Sequence, residues 1–99
     1  MVVQIPLPKE AIVRFCNRHH IQRLALFGSV LRDDFSPESD VDVLVQFEPG
    51  KAPGWEFFRM QDELADLLGR RVDLNTPGFL SPYFREQVLL AAETVYERA

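Results

Sequence analysis

Leu26-Phe27-Gly28-Ser29-Val30-Leu31-Arg32, followed by Ser39-Asp40-Val41-Asp42-Val43-Leu44-Val45, is the stretch on which the reading of this chain turns. It reads as a strand, a Gly-Ser turn, a short helix, a loop and a second strand that opens on two alternating carboxylates. Side chains alternate faces along a strand, so Asp40 and Asp42 are expected on one face, about 6.5–7 Å apart. Two acids on one face repel, and burying either without a partner is expensive. Val41, Val43 and Val45 between and beyond them suit a buried face. The pattern therefore implies a cation between the carboxylates, and an all-oxygen donor set suits Mg²⁺ or Mn²⁺.

The chain on either side of this stretch reads as alternating helices and strands. Pro8 can open a helix as its first residue. Ile12, Phe15, Cys16 and His19 follow at helical spacing. His19 and His20 point in different directions on a helix and read as helix-end residues near solvent. The first strand is Ile21 to Phe27. Ser29 can cap the short helix that runs through Arg32. The second strand is Asp40 to Phe47, Val-rich as an interior strand would be. Glu48 to Gly54 is a loop rich in turn residues.

A helix is expected from about Trp55 to Leu68, with Phe57, Met60, Leu64 and Leu67/Leu68 as its apolar face and Gly69 as its C-cap. Trp55, Phe57 and Phe58 cannot all face inward on it. Either all three pack in the core or against the sheet edge, or one is left at the surface as an interface anchor. Arg71 to Asn75 reads as a third strand, with Val72 and Leu74 on one side and Asp73 on the other. Ser81-Pro82 looks like an N-cap followed by Pro at the first position of a last helix. Phe84, Val88, Ala91 and Ala92 would be its apolar face, while Thr94 to Glu97 fits a strand or a continued helix. The expected fold class is α/β (α+β), a small mixed sheet flanked by helices.

Composition narrows the function. At 99 residues the chain is expected to form a single domain, residues 1–99. Its longest apolar runs are only a few residues, so no membrane span is expected. Met1-Val2-Val3-Gln4-Ile5-Pro6 lacks the charge and apolar length of a signal peptide. The lone Cys16 fits a reducing cytoplasm and reads as a core residue. Net charge is −4, and residues 33–42 hold five acids (Asp33, Asp34, Glu38, Asp40, Asp42) and no base. That surface disfavours duplex nucleic acid and suits a nucleotide that arrives with its metal.

The chemistry converges on Asp40, Asp42 and Asp73. If the third strand pairs beside the second, Asp73 reaches the face of the other two. Three carboxylates converging on one point would hold two ions, one activating an attacking oxygen and one stabilising a leaving pyrophosphate. The Gly28-Ser29 turn offers backbone N–H groups suited to phosphate. A metal beside a phosphate cradle suggests nucleotidyl transfer.

Gly28-Ser29-x-x-Arg32, Ser39-Asp40-x-Asp42-x-x-Val45 and Gly69-Arg70-Arg71-Val72-Asp73-Leu74 together resemble the minimal nucleotidyltransferase family, small members of the DNA polymerase β-like superfamily. The resemblance covers nearly the whole chain. It implies that Asp40, Asp42 and Asp73 are the catalytic, metal-binding carboxylates, holding two Mg²⁺ ions or Mn²⁺ in their place. It implies nucleotide binding by Gly28, Ser29, Arg32 and Ser39, with ATP as the nucleotide. The family often carries a small residue after the arginine, where this chain has Asp33-Asp34. The resemblance further implies a HEPN-domain RNase toxin as partner in a hetero-oligomer, with this chain as the antitoxin that transfers AMP to a toxin hydroxyl, a tyrosine. A small-molecule nucleotidyltransferase and a non-catalytic, toxin-sequestering antitoxin are the alternatives.

Overall fold

The computed structural model describes residues 5–98. Residues 1–4, and with them most of the segment read for a signal peptide, lie outside the described residues. Chain order is α1 (Lys9–Arg18), β1 (Ile21–Phe27), a 3₁₀ turn (Gly28–Leu31), β2 (Val41–Phe47), α2 (Glu56–Leu68), β3 (Val72–Asn75), a second 3₁₀ turn (Pro77–Phe79), α3 (Arg85–Ala91) and β4 (Glu93–Glu97). The four strands form one sheet in the order β3-β2-β1-β4. β1 is antiparallel to β2 and to β4, and β2 is parallel to β3. The expected mixed sheet with flanking helices is therefore the observed architecture.

Alternation along β1 and β2 decides which face is which. Leu24 pairs with Val45 and Leu26 with Val43, and all four join the main core. Ile12, Phe15 and Cys16 of α1 and Phe57, Met60 and Leu64 of α2 pack onto that face. These are the helical positions expected from their spacing. Cys16 is fully buried, and burial raises its thiol pKa to about 12. It is a core residue, as expected. The opposite face carries Ala25, Phe27, Asp42 and Leu44 by the same alternation.

β3 is an edge strand, and α2 covers part of its exposed ladder. The Gln61 side-chain oxygen accepts the Leu74 N–H at 3.0 Å, which blunts an otherwise open edge. Gly69 ends α2 in the left-handed conformation, φ 70°, as a C-cap glycine should.

Several local expectations are corrected. Pro8 is the N-cap of α1, not its first residue. β2 begins at Val41, so Asp40 is the last residue of the preceding loop. Ser29 makes no capping hydrogen bond, and the turn it stands in is 3₁₀, ending before Arg32. Four residues are too few for an α-helical cap to be completed, and the tighter i→i+3 bond takes its place. Ser81 does not cap α3, which starts three residues beyond Pro82. Instead its carbonyl accepts from the Phe84 and Arg85 N–H groups in a turn before the helix. The expected apolar face of α3 is not buried, with Phe84 exposed. Thr94 to Glu97 is strand, paired to β1. His19 and His20 do end α1, His20 exposed and His19 partly buried. The His19 ring packs on Phe15 and meets Glu63 Oε1 at 3.0 Å, joining α1 to α2. Of the three aromatics that open α2, Phe57 is buried, whereas Trp55 and Phe58 are both exposed.

Candidate active site

Asp42 and Asp73 stand opposite each other in the β2–β3 register, flanked by Val41↔Val72 and Val43↔Leu74. Residues in register on parallel strands share a face, with strands about 4.8 Å apart. The valines and leucine point into the core, so both carboxylates point to the other side. β1 adds a third element to this corner. Phe27 pairs with Asp42, and Gly28 leaves the strand at φ +76°. A Cβ on Gly28 would sit 3.2 Å from Asp42 Cγ and closer still to a carboxylate oxygen. Glycine is needed there twice over, for the left-handed backbone and for the approach.

The electrostatics follow from this crowding. Burial, then the neighbouring carboxylates of Asp73 and Asp40, push the Asp42 pKa above its ordinary value, and the Arg32 guanidinium pulls it back. Arg32 thus faces the acidic corner, although its Nε also pairs with Asp34 Oδ1 at 3.1 Å. Ser39 closes the acidic loop on itself, its hydroxyl accepting the Ser36 N–H at 3.1 Å.

Asp40 departs from the expected geometry. It lies one residue before β2, half exposed, and its Oδ1 is held by Arg71 Nε at 3.0 Å. Among the described residues, no group of three or more His, Cys, Asp or Glu side chains is gathered closely enough to hold an ion. The three carboxylates therefore do not converge on one ready-made point. Three like charges repel, and Asp40 has a cation of its own to turn to.

The donor set nevertheless fits a hard divalent ion. Asp42 and Asp73 offer carboxylate oxygens from adjacent strands in register, Asp40 lies two residues before Asp42, and Gly28 approaches Asp42 closely. Asp40 and Asp42 would hold the ion, with Asp73 completing the set.

Two residues of this corner carried no assigned role in the sequence reading, Arg70 and Arg71. Arg70 Nη2 donates to the Ser36 and Ser39 carbonyls at 2.6 and 3.1 Å, and its guanidinium lies 4.4 Å from the centre of the Phe35 ring. Arg71 donates to the Glu38 carbonyl as well as to Asp40, and its own carbonyl accepts the Val41 N–H at 2.9 Å. The tandem arginines hold the acidic loop from the β3 side. Their partners are more than thirty residues away in sequence, so no local pattern could have pointed to them.

Comparison with known proteins gives a concordant picture. A family model described as a nucleotidyltransferase domain matches residues 9–94. Protein adenylyltransferase MntA of Thermococcus cleftensis is 36% identical over 80 residues, spanning 80% of this chain and 77% of the relative. A solved structure described as a putative minimal nucleotidyltransferase superposes with a TM-score of 0.70 at 42% identity, covering 85% of each chain. At the level of fold alone, the chain also resembles a complex of an MNT antitoxin with the tri-AMPylated HEPN toxin of Shewanella oneidensis. That likeness has a TM-score of 0.65 at 21% identity, over 91% of this chain and 70% of the other.

Proposed function

This chain belongs to the nucleotidyltransferase-domain family, and from that premise we propose that it is an antitoxin that transfers AMP from ATP to a tyrosine hydroxyl of a HEPN-domain toxin. The observation that carries the reading is the Asp42–Asp73 pair in register, with Asp42 against Gly28, on the side of the sheet away from α1 and α2. The adenylyltransferase name of the Thermococcus relative and the Shewanella toxin complex support the choice of donor and acceptor. We further read residues 1–99 as one domain working in the cytoplasm. No helix among the described residues is long and apolar enough to cross a membrane.

The chain's residues divide the work as follows. Gly28 and Ser29 bring backbone N–H groups against the nucleotide phosphates, and Gly28 lets those phosphates approach Asp42. Arg32 balances the negative charge of phosphate and carboxylates, and Ser39 shapes the loop that delivers Asp40. Asp40, Asp42 and Asp73 would hold Mg²⁺, which would supply charge neutralisation at the phosphates and at the leaving pyrophosphate. Asp73 on β3, more exposed than its partner Asp42 on β2, faces the incoming hydroxyl and takes its proton. The hydroxyl oxygen forms a bond to the α-phosphorus as the bond to the β-phosphate oxygen breaks, and pyrophosphate carries the electron pair away.

Intact-protein mass spectrometry tests this directly. The HEPN protein is incubated with this chain, Mg²⁺ and the four nucleoside triphosphates, and in parallel with the Asp40→Asn/Asp42→Asn variant. The expected result is a gain of one or more AMP masses on the toxin, with the native chain only. A stable complex that silences the toxin without any mass gain would replace the enzyme with a sequestering antitoxin. Neither gain nor complex would redirect the search to a small-molecule acceptor.

A further inference from the structure

We infer that Arg71 is a built-in competitor for the metal at Asp40, one that makes metal binding depend on the nucleotide. The inference rests on the reading of Asp40 and Asp42 as metal ligands and concerns how that site is regulated. Arg71 Nε holds Asp40 Oδ1 at 3.0 Å, so a guanidinium already engages a carboxylate oxygen that an ion shared with Asp42 would need. Arg71 cannot lose its proton in ordinary solution, so no pH change vacates the position. It can only be displaced.

The geometry makes displacement easy and directional. The Arg71 and Asp40 side chains are 73% and 52% exposed. An ion pair so solvated is weak, and a divalent ion competes with it readily. A bare ion must nevertheless bind beside a guanidinium that has lost its carboxylate partner. An ion that arrives with a triphosphate brings that guanidinium a replacement, since arginine pairs with phosphate oxygens as well as with carboxylates. Arg71 is anchored for such a swing. Its backbone carbonyl is tied to the Val41 N–H, and the neighbouring Arg70 keeps the loop in place through the Ser36 and Ser39 carbonyls. The side chain, which also donates to the Glu38 carbonyl, is the part that exchanges partners, and the backbone beneath it is tied. Arg71 is thus a positioning residue that acts through Asp40 and opposes loading with metal alone.

The test is binding, read by titration calorimetry and by Mn²⁺ electron paramagnetic resonance, without turnover. Native chain, Arg71→Ala, Arg71→Lys and Asp42→Asn are titrated with Mn²⁺ alone and with Mn²⁺ plus α,β-methylene-ATP. Arg71→Ala should bind Mn²⁺ alone about two- to fivefold more tightly, the range a solvated ion pair implies. The same variant should bind the metal–nucleotide complex less tightly than the native chain does. Arg71→Lys, which keeps the charge, should restore much of the discrimination. Unchanged or weaker Mn²⁺ binding by Arg71→Ala, with Asp42→Asn unable to bind, overturns the inference and leaves the metal site standing. Equal tightening in both titrations also overturns it, because Arg71 then does not distinguish bare from nucleotide-borne metal. Native binding by Asp42→Asn would instead strike at the proposed metal site itself. A variant that merely disturbed the fold would lose affinity in both titrations, opposite in sign to the effect expected for bare Mn²⁺.

Discussion

Gly28 and Asp42 lie so close across the β1–β2 hairpin that the Asp42 carboxylate occupies the volume a side chain on residue 28 would need. The contact joins the two parts of the proposed site, the phosphate-facing turn and the metal-facing strand. It also places a positive-φ backbone where strain cannot be relieved by moving a flexible neighbour without moving the carboxylate.

Gly28→Ala follows from this contact. The left-handed backbone alone costs about 1–2 kcal/mol for a residue with a Cβ, and the collision with Asp42 adds to it. Urea unfolding should show a loss of about 1–3 kcal/mol. AMP transfer should fall further than that loss of folded protein explains, because the carboxylate is pushed aside. Full activity in the folded fraction would sink the assignment of Gly28 to the site.

Asp42→Asn should stabilise the metal-free protein. The folded-state pKa of Asp42 lies above its unfolded value, so its charged form opposes folding at neutral pH. That penalty is relieved as pH falls through the folded-state value, where the folded protein takes up a proton first. Asparagine never carries the charge. In the presence of a chelator its melting temperature should exceed the native one at pH 7, and the gap should close as pH falls. Added Mg²⁺ should raise the native melting temperature and leave the variant's unchanged.

Arg70→Ala releases the acidic loop. Two charge-assisted hydrogen bonds and a stacked ring are lost together, a cost of about 1–2 kcal/mol for a partly exposed cluster. Hydrogen exchange should accelerate at residues 33–40 and stay slow in β2. Uniform acceleration across the chain would show that Arg70 supports the whole fold instead of the loop.

Leu64→Ala probes the helix layer that backs the site. Leu64 is fully buried between α2 and the sheet, so truncation should cost about 2–5 kcal/mol. Chemical denaturation measures it directly. A loss under 1 kcal/mol would mean that α2 collapses into the space or that the core lies elsewhere.

Trp55→Ala separates fold from partner contact. Trp55 is 88% exposed, with Phe58 beside it at 6.4 Å between ring centres. Its removal should change stability by no more than about 0.5 kcal/mol. Any loss of toxin capture by this variant in a pull-down is then loss of an interface anchor and not of the fold. Unchanged capture would remove Trp55 from the partner surface.

Much of the site could be read from local pattern. Val41, Val43 and Val45 alternate with Asp42, and Val72 and Leu74 bracket Asp73, so each carboxylate is placed opposite a buried face by strand geometry alone. Gly28 breaks β1 where a left-handed residue is required. Asp40 stands one residue before the strand that periodicity assigns it to, because a carboxylate at a strand boundary looks the same to periodicity whether it is the first residue of the ladder or the last of the loop. Ser29 and Ser81 both satisfy the sequence preference for a cap. One belongs to a turn too short for it, and the other to a turn that ends before the helix begins.

What the chain by itself determined is the set of elements and the face on which each acid lies, since those depend on side-chain period over a few neighbours. Tertiary structure alone decided the partners. Parallel pairing of β2 with β3 puts Asp73 opposite Asp42, and the same pairing carries Arg70 and Arg71 to a loop more than thirty residues earlier. Register between strands joined through a whole helix is set by how that helix packs its apolar face on the sheet. No short-range pattern encodes that choice. The charge left on Asp40, and the cation that answers it, exist only after the choice is made.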